Sequence, residues 1–434
     1  MPTIDRAAAR AVLRRNDRGN GCFTVPTAGL YPFQWNWDSG FVALGWGTFD
    51  ADRAMRELET LFTGQWANGM VPHIVFHSET EDSYFPNWPF WETDRNAGAP
   101  RRPRTSGITQ PPVVGFVLAE LARRHPELRN RAAHLFPKVV AYHRWCYRFR
   151  DPEREGLFFF YHPWETGRDN SPLWDAPMNR IDLSRLQLPA YQRRDLDHAD
   201  AKFRPTRDHY DRFVALLELG KRFRYDGEGI AAESPVLIQD SLMNALLIRS
   251  NAALIELGAD LKLDTGELRE WHQQSSYAFE KKLWNADLAC YVPYDLRAEA
   301  QIARREVGGV ASLFAQTAAA DRVAALATVL RDWQTRGFLL CPSNDPDDAG
   351  FDPLRYWRGP VWPQMNWLLA RGLAHYGENE LSQAVDDDLR HSIERQGFYE
   401  YFDPRRAVNE TLTEGYGGNH FSWTASTFLL LGED

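Results

Sequence analysis

Apolar residues return at the 3.6-residue period in segment after segment of the 434-residue chain, and this repetition limits the fold more than any other feature. Val113, Val114, Val117, Leu118, Leu121 and Ala122 mark one helix face, opened by Pro111-Pro112, where proline is best tolerated. Tyr210, Phe213, Val214 and Leu217 repeat the pattern, and Val236, Leu237, Leu242, Met243, Leu246, Leu247, Leu254 and Ile255 make a segment apolar enough to lie between layers. The spacing predicts helices over 51–65, 113–122, 131–147, 205–223, 235–258, 265–283, 318–332, 360–375, 379–395 and 423–432. Strand signals are short and local, at Leu157–Tyr161 and Val71–Phe76. Nothing alternates as βαβ, and no glycine-rich loop follows a strand, so a nucleotide fold is unsupported.

The connections carry the second constraint. Segments 19–39, 72–110, 150–204, 284–312 and 340–360 are long, polar and aromatic, and long ordered loops in a compact domain are usually functional. Many similar helices joined by long site-forming loops fit an all-α toroid with short β-hairpins at one end. No Ser-, Gly- or Pro-rich linker divides the chain, so residues 1–434 are expected to form one catalytic domain, with 72–110 and 284–312 as loops that could cover a substrate.

Charge narrows the partners. The formal net charge is −9 with basic residues scattered, which disfavours a nucleic-acid surface. No run reaches the roughly 20 apolar residues that span a bilayer. The start of the chain, with Arg6, Arg10, Arg14 and Arg15, has no apolar signal core, so a cytoplasmic protein without membrane contact is expected. Cys22, Cys146, Cys290 and Cys341 are too dispersed for a metal motif and read as free thiols; no metal or other cofactor is expected. The sequence leaves an oligomer possible.

Aromatic residues are abundant, with 16 Trp, 16 Tyr and 25 Phe, and many of the Trp stand beside Asn, Asp, Gln or Glu in turn-rich segments. Flat rings beside carboxylates and amides suit the C–H faces and hydroxyls of sugars. The densest such stretch is 162–174, HPWETGRDNSPLW, where Gly167 and Pro172 place Glu165 and Asp169 on a loop. Inverting hydrolysis of a glycoside needs an acid for the leaving oxygen and a carboxylate across the ring for water, about 6.5–9.5 Å apart. Trp164 and Trp174 can desolvate Asp169 and raise its pKa, with Asn170 and Arg168 holding its geometry, so Asp169 is the candidate acid. Glu400, alone among the aromatics of 397–404, is the candidate second carboxylate. Three segments are candidate sugar binders: 31–40 with Tyr31, Trp35, Asn36, Trp37 and Asp38, 356–364 with Tyr356, Trp357 and Trp362, and 105–112 with Gln110.

Three of these segments resemble motifs of the trehalase-like and processing-α-glucosidase-like glycoside hydrolases. Residues 165–172, ETGRDNSP, are similar to an E-S-G-x-D-x-S segment, with Thr166 in place of Ser; 399–403, YEYFD, resemble E-K-Y-D; and 415–424, GYGGNHFSWT, resemble the closing G-x-G-x-x-x-F-x-W-T. The motifs keep the family order and the resemblance spans about 30–425. It implies an (α/α)6 barrel, an inverting mechanism, Asp169 as acid and Glu400 as base, with Glu165 orienting the sugar or the loop. Residues 415–419 lack the Glu-Tyr that trehalases carry there, and the chain lacks the N-terminal β-domain of the processing glucosidases. The chain most resembles the bacterial mannosylglycerate and glucosylglycerate hydrolases, enzymes of compatible-solute metabolism.

That resemblance makes Tyr31, Trp35, Trp37, Asp38, Gln110, Trp357 and Trp362 the sugar pocket. It makes Arg204 and Tyr210, with Tyr84 and Tyr356, the grip on a glycerate carboxylate, for which a guanidinium fork is suited. A surface ion pair of Arg204 with Asp208 is the bland alternative. The implied partner is a small α-glycoside, anionic or neutral. The alternatives are an α-glucosidase or α-mannosidase acting on neutral oligosaccharides, and a non-catalytic sugar-binding toroid.

Overall fold

Outer and inner helices alternate along the chain. The outer set is Arg6–Asn16, Ala51–Leu61, Arg129–Arg150, Gly266–Lys282, Ala320–Thr335 and Asn379–Gln396. The inner set is Asn36–Gly47, Val114–Arg124, Ser241–Leu261, Val307–Ala311 with its continuation Ser312–Ala315, Pro363–His375 and Ser422–Leu430. Each inner helix packs on the next and the last returns to the first, closing an (α/α)6 barrel. The computed structural model describes residues 4–78, 84–197 and 200–432.

The two rings differ in patterning for a physical reason. An outer helix buries one stripe, as Val323, Leu326, Ala327, Leu330 and Trp333 do on Ala320–Thr335. Inner helices are walled on all sides: every residue of Asn36–Gly47 and of Ser422–Leu430 is buried. These two inner helices cross so closely that a Cβ on Gly45 would stand 2.3 Å from Ser426 Oγ. Polar caps start several helices, with Asp240 accepting from the Met243 amide at 3.0 Å and Asp50 from that of Arg53 at 3.0 Å.

The predicted helices are present with shifted ends, and further helices join them, three of these in the two rings. Arg6–Asn16, Asn36–Gly47 and Val307–Ala311 are helices that periodicity did not mark. The helix expected from 235 begins at Ser241, because Ile238–Gln239 is extended and pairs with Tyr294–Asp295. The strand expected at Leu157–Tyr161 reduces to a bridge of Phe160 with Ile238. There the side chain of Asn244 takes a strand partner's place, accepting from the Phe158 amide at 3.0 Å and donating to its carbonyl at 3.1 Å.

Short antiparallel strands gather where the inner helices begin: Gln34–Trp35, Ile74–Phe76 and Arg104–Thr105 form one sheet, and Ile238–Gln239, Tyr294–Asp295 and Ala300–Gln301 another. Among the described residues, no helix is long and apolar enough to cross a membrane and no group of His, Cys, Asp and Glu has metal-binding geometry. The four cysteines are unbridged.

Candidate active site

The N-terminal ends of the inner helices share one mouth of the barrel, and the loops before them enclose a pocket of about 710 Å³. Helix N-termini carry positive dipole ends, so this mouth favours carboxylates. Of the residues singled out in the sequence, Tyr31, Trp35, Trp37, Asp38, Tyr84, Gln110, Asp169, Arg204, Tyr210, Tyr356 and Glu400 line the pocket. His73, Phe85, Trp164, Phe421 and Trp423 complete much of the apolar wall.

Asp169 lies on the loop after the turn Pro163–Thr166, which closes at Gly167 in the left-handed region (φ +67). A Cβ there would stand 2.6 Å from Cζ2 of Trp37, so glycine lets the loop press against the indole. Asn170 accepts from the Trp357 amide at 2.9 Å, tying this loop to the 356–364 segment. Arg168 points away from the pocket: fully buried, it donates to Asp240 at 2.6 Å and to Glu306 at 3.1 Å, fixing the loop to two inner-helix starts. Asp169 is only 8% exposed. Burial pushes its pKa up to about 7, aided by the charges of Asp195 and Glu400 and opposed by Arg204. A carboxyl protonated near neutrality is a competent proton donor.

Glu400, on the segment that precedes the closing motif, is fully buried. One oxygen accepts from Tyr31 and Tyr356 hydroxyls, each at 3.3 Å, and the other from the Gly418 amide at 3.0 Å. Gly417 (φ +74) must be glycine, since a Cβ would fall 2.2 Å from the Glu400 oxygen. The closing motif holds the segment from behind: Trp423 Nε1 donates to the Glu400 carbonyl at 3.3 Å and Thr424 to that of Tyr399 at 2.6 Å. Burial raises the Glu400 pKa, against the lowering pull of Arg204 and these hydrogen bonds. Asp38 is held well above the usual carboxylate range, chiefly by burial, with the charges of Glu400 and Glu57 adding and hydrogen bonds opposing.

Arg204 is the only Lys or Arg among the described residues of the wall. Its Nη2 donates to Tyr31 at 3.2 Å, its Nε to Asp195 at 3.3 Å, and its guanidinium lies over the Tyr356 ring at 4.2 Å. Its Nη1 is buried without a hydrogen-bond partner. The ion pair weighed with Asp208 does not form, because Asp208 binds Arg212 instead. Asp195 was missed by sequence reading. It accepts from Arg193 Nη2 and Nε at 2.6 and 3.0 Å, and Arg193 in turn stacks on Tyr210 at 3.9 Å. The signal was a charged run, 193–204, that reads as solvated surface.

Four predicted binders stand behind the wall instead of on it. The carboxylate of Glu165 is occupied by Arg150 at 2.9 Å and the amides of Tyr161 and His162 at 3.1 and 3.3 Å, which makes it a loop anchor. Trp357 and Trp362 stack on each other, centroids 3.7 Å apart, and back the pocket through Trp37 and Tyr356. The Asn36 side chain turns to the Val71 carbonyl. The segment 72–110 contributes His73, Tyr84, Phe85 and Gln110 to the wall, and its residues 79–83 lie outside the described residues. The segment 284–312 contributes none among the described residues; it reaches the site through Glu306 on Arg168.

A family model, the mannosylglycerate hydrolase MGH1-like glycoside hydrolase domain, matches residues 31–424. A mannosylglycerate hydrolase of Thermus thermophilus is 44% identical over 422 residues, 96% of this chain and 98% of its own. A glucosylglycerate hydrolase of Mycolicibacterium hassiacum is 33% identical, covering 99% of this chain and 97% of its own. A crystal structure of the family 63 mannosylglycerate hydrolase from Thermus thermophilus, in complex with Tris and D-glycerate, superposes with a TM-score of 0.91 at 43% identity over 98% of both chains. Neutral trehalase of Saccharomyces cerevisiae shares the fold alone, at 14% identity and a TM-score of 0.60 over 97% of this chain and 79% of its own. With a matched domain across most of the barrel and relatives alike over nearly their whole length, this chain belongs to the mannosylglycerate hydrolase MGH1-like family of glycoside hydrolases.

Proposed function

We propose that the protein hydrolyses small α-glycosides of glycerate, mannosylglycerate and glucosylglycerate, with inversion at the anomeric carbon. The observation that carries this reading is the buried Nη1 of Arg204, a cationic donor without a partner in a wall that otherwise holds Asp38, Asp169, Asp195 and Glu400. A substrate carboxylate supplies the missing acceptor, and the aromatic wall takes the sugar face. Tyr210 and Tyr84 flank the glycerate, while Trp35, Trp37, Gln110 and Asp38 hold the sugar.

In the reaction Asp169 gives its proton to the glycosidic oxygen as the anomeric C–O bond breaks. Glu400, on the other side of the ring, takes a proton from the water whose oxygen bonds to that carbon. The products are the free sugar of inverted configuration and glycerate; Glu400 then releases its proton to solvent and Asp169 regains one. Tyr31 and Tyr356 orient Glu400 and couple it to Arg204.

The test is turnover of glucosylglycerate, mannosylglycerate, trehalose and short α-glucans by the wild type, Asp169→Ala and Glu400→Ala. Hydrolysis of the glycerate glycosides that vanishes in both variants supports the reading. Preference for trehalose or α-glucans, or wild-type activity in either variant, would overturn it.

A further inference from the structure

The C-terminal ends of several inner helices meet at the other mouth of the barrel, where a second cavity of about 1660 Å³ opens to solvent. It shares no lining residue with the catalytic pocket. A helix such as Asn36–Gly47 separates the two by roughly 18 Å at 1.5 Å per residue. The walls are of two kinds. Leu44, Phe116, Phe314, Trp367 and Leu430 make an apolar, largely aromatic lining, and a set of arginines stands at its edge.

Most of those arginines are already paired. Arg123 and Arg124 bind Glu120 at 2.7 and 2.5 Å, Arg129 faces Asp260 at 3.7 Å, and Arg371 binds Asp386. Arg249 is the exception: half-buried in the wall, it makes no hydrogen bond or ion pair among the described residues, and Glu256 and Glu120 act on it only at longer range. Burial lowers its pKa, the sign of a guanidinium short of partners. Two more donors share the cavity. The side-chain amide of Gln316 makes no hydrogen bond among the described residues, and the indole Nε1 of Trp367, a residue 7% exposed, is buried without a partner.

Helix C-termini carry negative dipole ends, which oppose an anion at this mouth, but that effect fades within the last turn. Arg249 lies 12 residues before the end of Ser241–Leu261, more than three turns away. A charged donor beside aromatic faces and further free N–H groups recognises a head of acceptor oxygens on a flat apolar body. We propose that this cavity is a second binding site, for a small aryl carboxylate or sulfonate whose acidic head meets Arg249 and whose ring lies against Phe116, Phe314 and Trp367.

The probe is 8-anilinonaphthalene-1-sulfonate, titrated by fluorescence into the folded full-length enzyme. One saturable site is expected. Arg249→Gln weakens it at least tenfold, Arg249→Lys weakens it less, and Ala253→Phe, which puts a ring into the cavity beside Arg249, also weakens it. Arg204→Ala at the catalytic pocket leaves it unchanged, and Arg249→Gln retains wild-type glycosidase turnover, which shows that the variant is folded. No saturable site, equal affinity in Arg249→Gln, or loss of binding in Arg204→Ala would overturn the proposal.

Discussion

Replacing Asp169 with asparagine should abolish turnover and, at the same time, stabilise the protein in a pH-dependent way. The carboxyl titrates near 3.8 in the unfolded chain and near 7 when folded, because burial disfavours its charge. A carboxyl raised on folding stabilises most when protonated in both states. That stability is present below pH 3.8 and is lost as pH rises through the window up to about 7. Above the window the wild type carries the full cost of a buried charge, roughly 4 kcal/mol from the rise in pKa at 1.36 kcal/mol per pH unit. The neutral amide of the variant carries none of it. Denaturant unfolding of both proteins should therefore show the variant more stable by about 4 kcal/mol at pH 8, and by less than half of that at pH 5. A variant less stable than wild type at pH 8, or a difference that stays constant with pH, would refute the assignment of a raised pKa to this site.

Other predictions concern activity. Arg204→Ala should cost kcat/KM on glycerate glycosides about 1.5–3 kcal/mol more than on aryl glycosides that lack the carboxylate, the worth of hydrogen bonds to a charged group; equal losses on both would refute the clamp. Asp195→Asn should raise KM for the glycerate glycosides severalfold with kcat largely kept, since Asp195 acts by holding Arg204 and Arg193; a fall in kcat alone would contradict that role. The profile of kcat/KM against pH should be a bell. It falls on the acid side as Glu400, whose pKa burial raises, takes up a proton, and on the alkaline side as Asp169 loses one near pH 7. A profile without an alkaline limb would exclude Asp169 as the proton donor.

The sequence made five of the six outer helices legible, Arg6–Asn16 being the exception, because an outer helix has a wet face and its apolar stripe shows at the helical period. The inner helix Asn36–Gly47 was invisible to the same reading: it is buried all round, and glycines such as Gly45 that permit its close crossing lower its helical signal. The site residues that carry motifs, Asp169, Glu400, Asp38 and Gln110, could be picked out and do meet at one pocket. What a residue faces was less legible. Trp357 and Trp362 have the composition of sugar platforms yet stack on each other, and Glu165 shares the loop of Asp169 yet serves Arg150. Asp195 escaped because its partners Arg193 and Arg204 are brought together by folding, while in the chain they look like a solvated charge run. Local composition identifies a segment's chemistry, but only the tertiary packing decides which side of the wall each side chain occupies.

The claim on which everything else rests is that Asp169 and Glu400 act from opposite faces of one sugar ring. Proton NMR of the first sugar released from an α-glycoside of glycerate tests it directly, provided spectra are taken before mutarotation. With Asp169 and Glu400 so placed, the β-anomer appears first and the α-anomer grows in later; an α-anomer released first would mean retention and would contradict that placement.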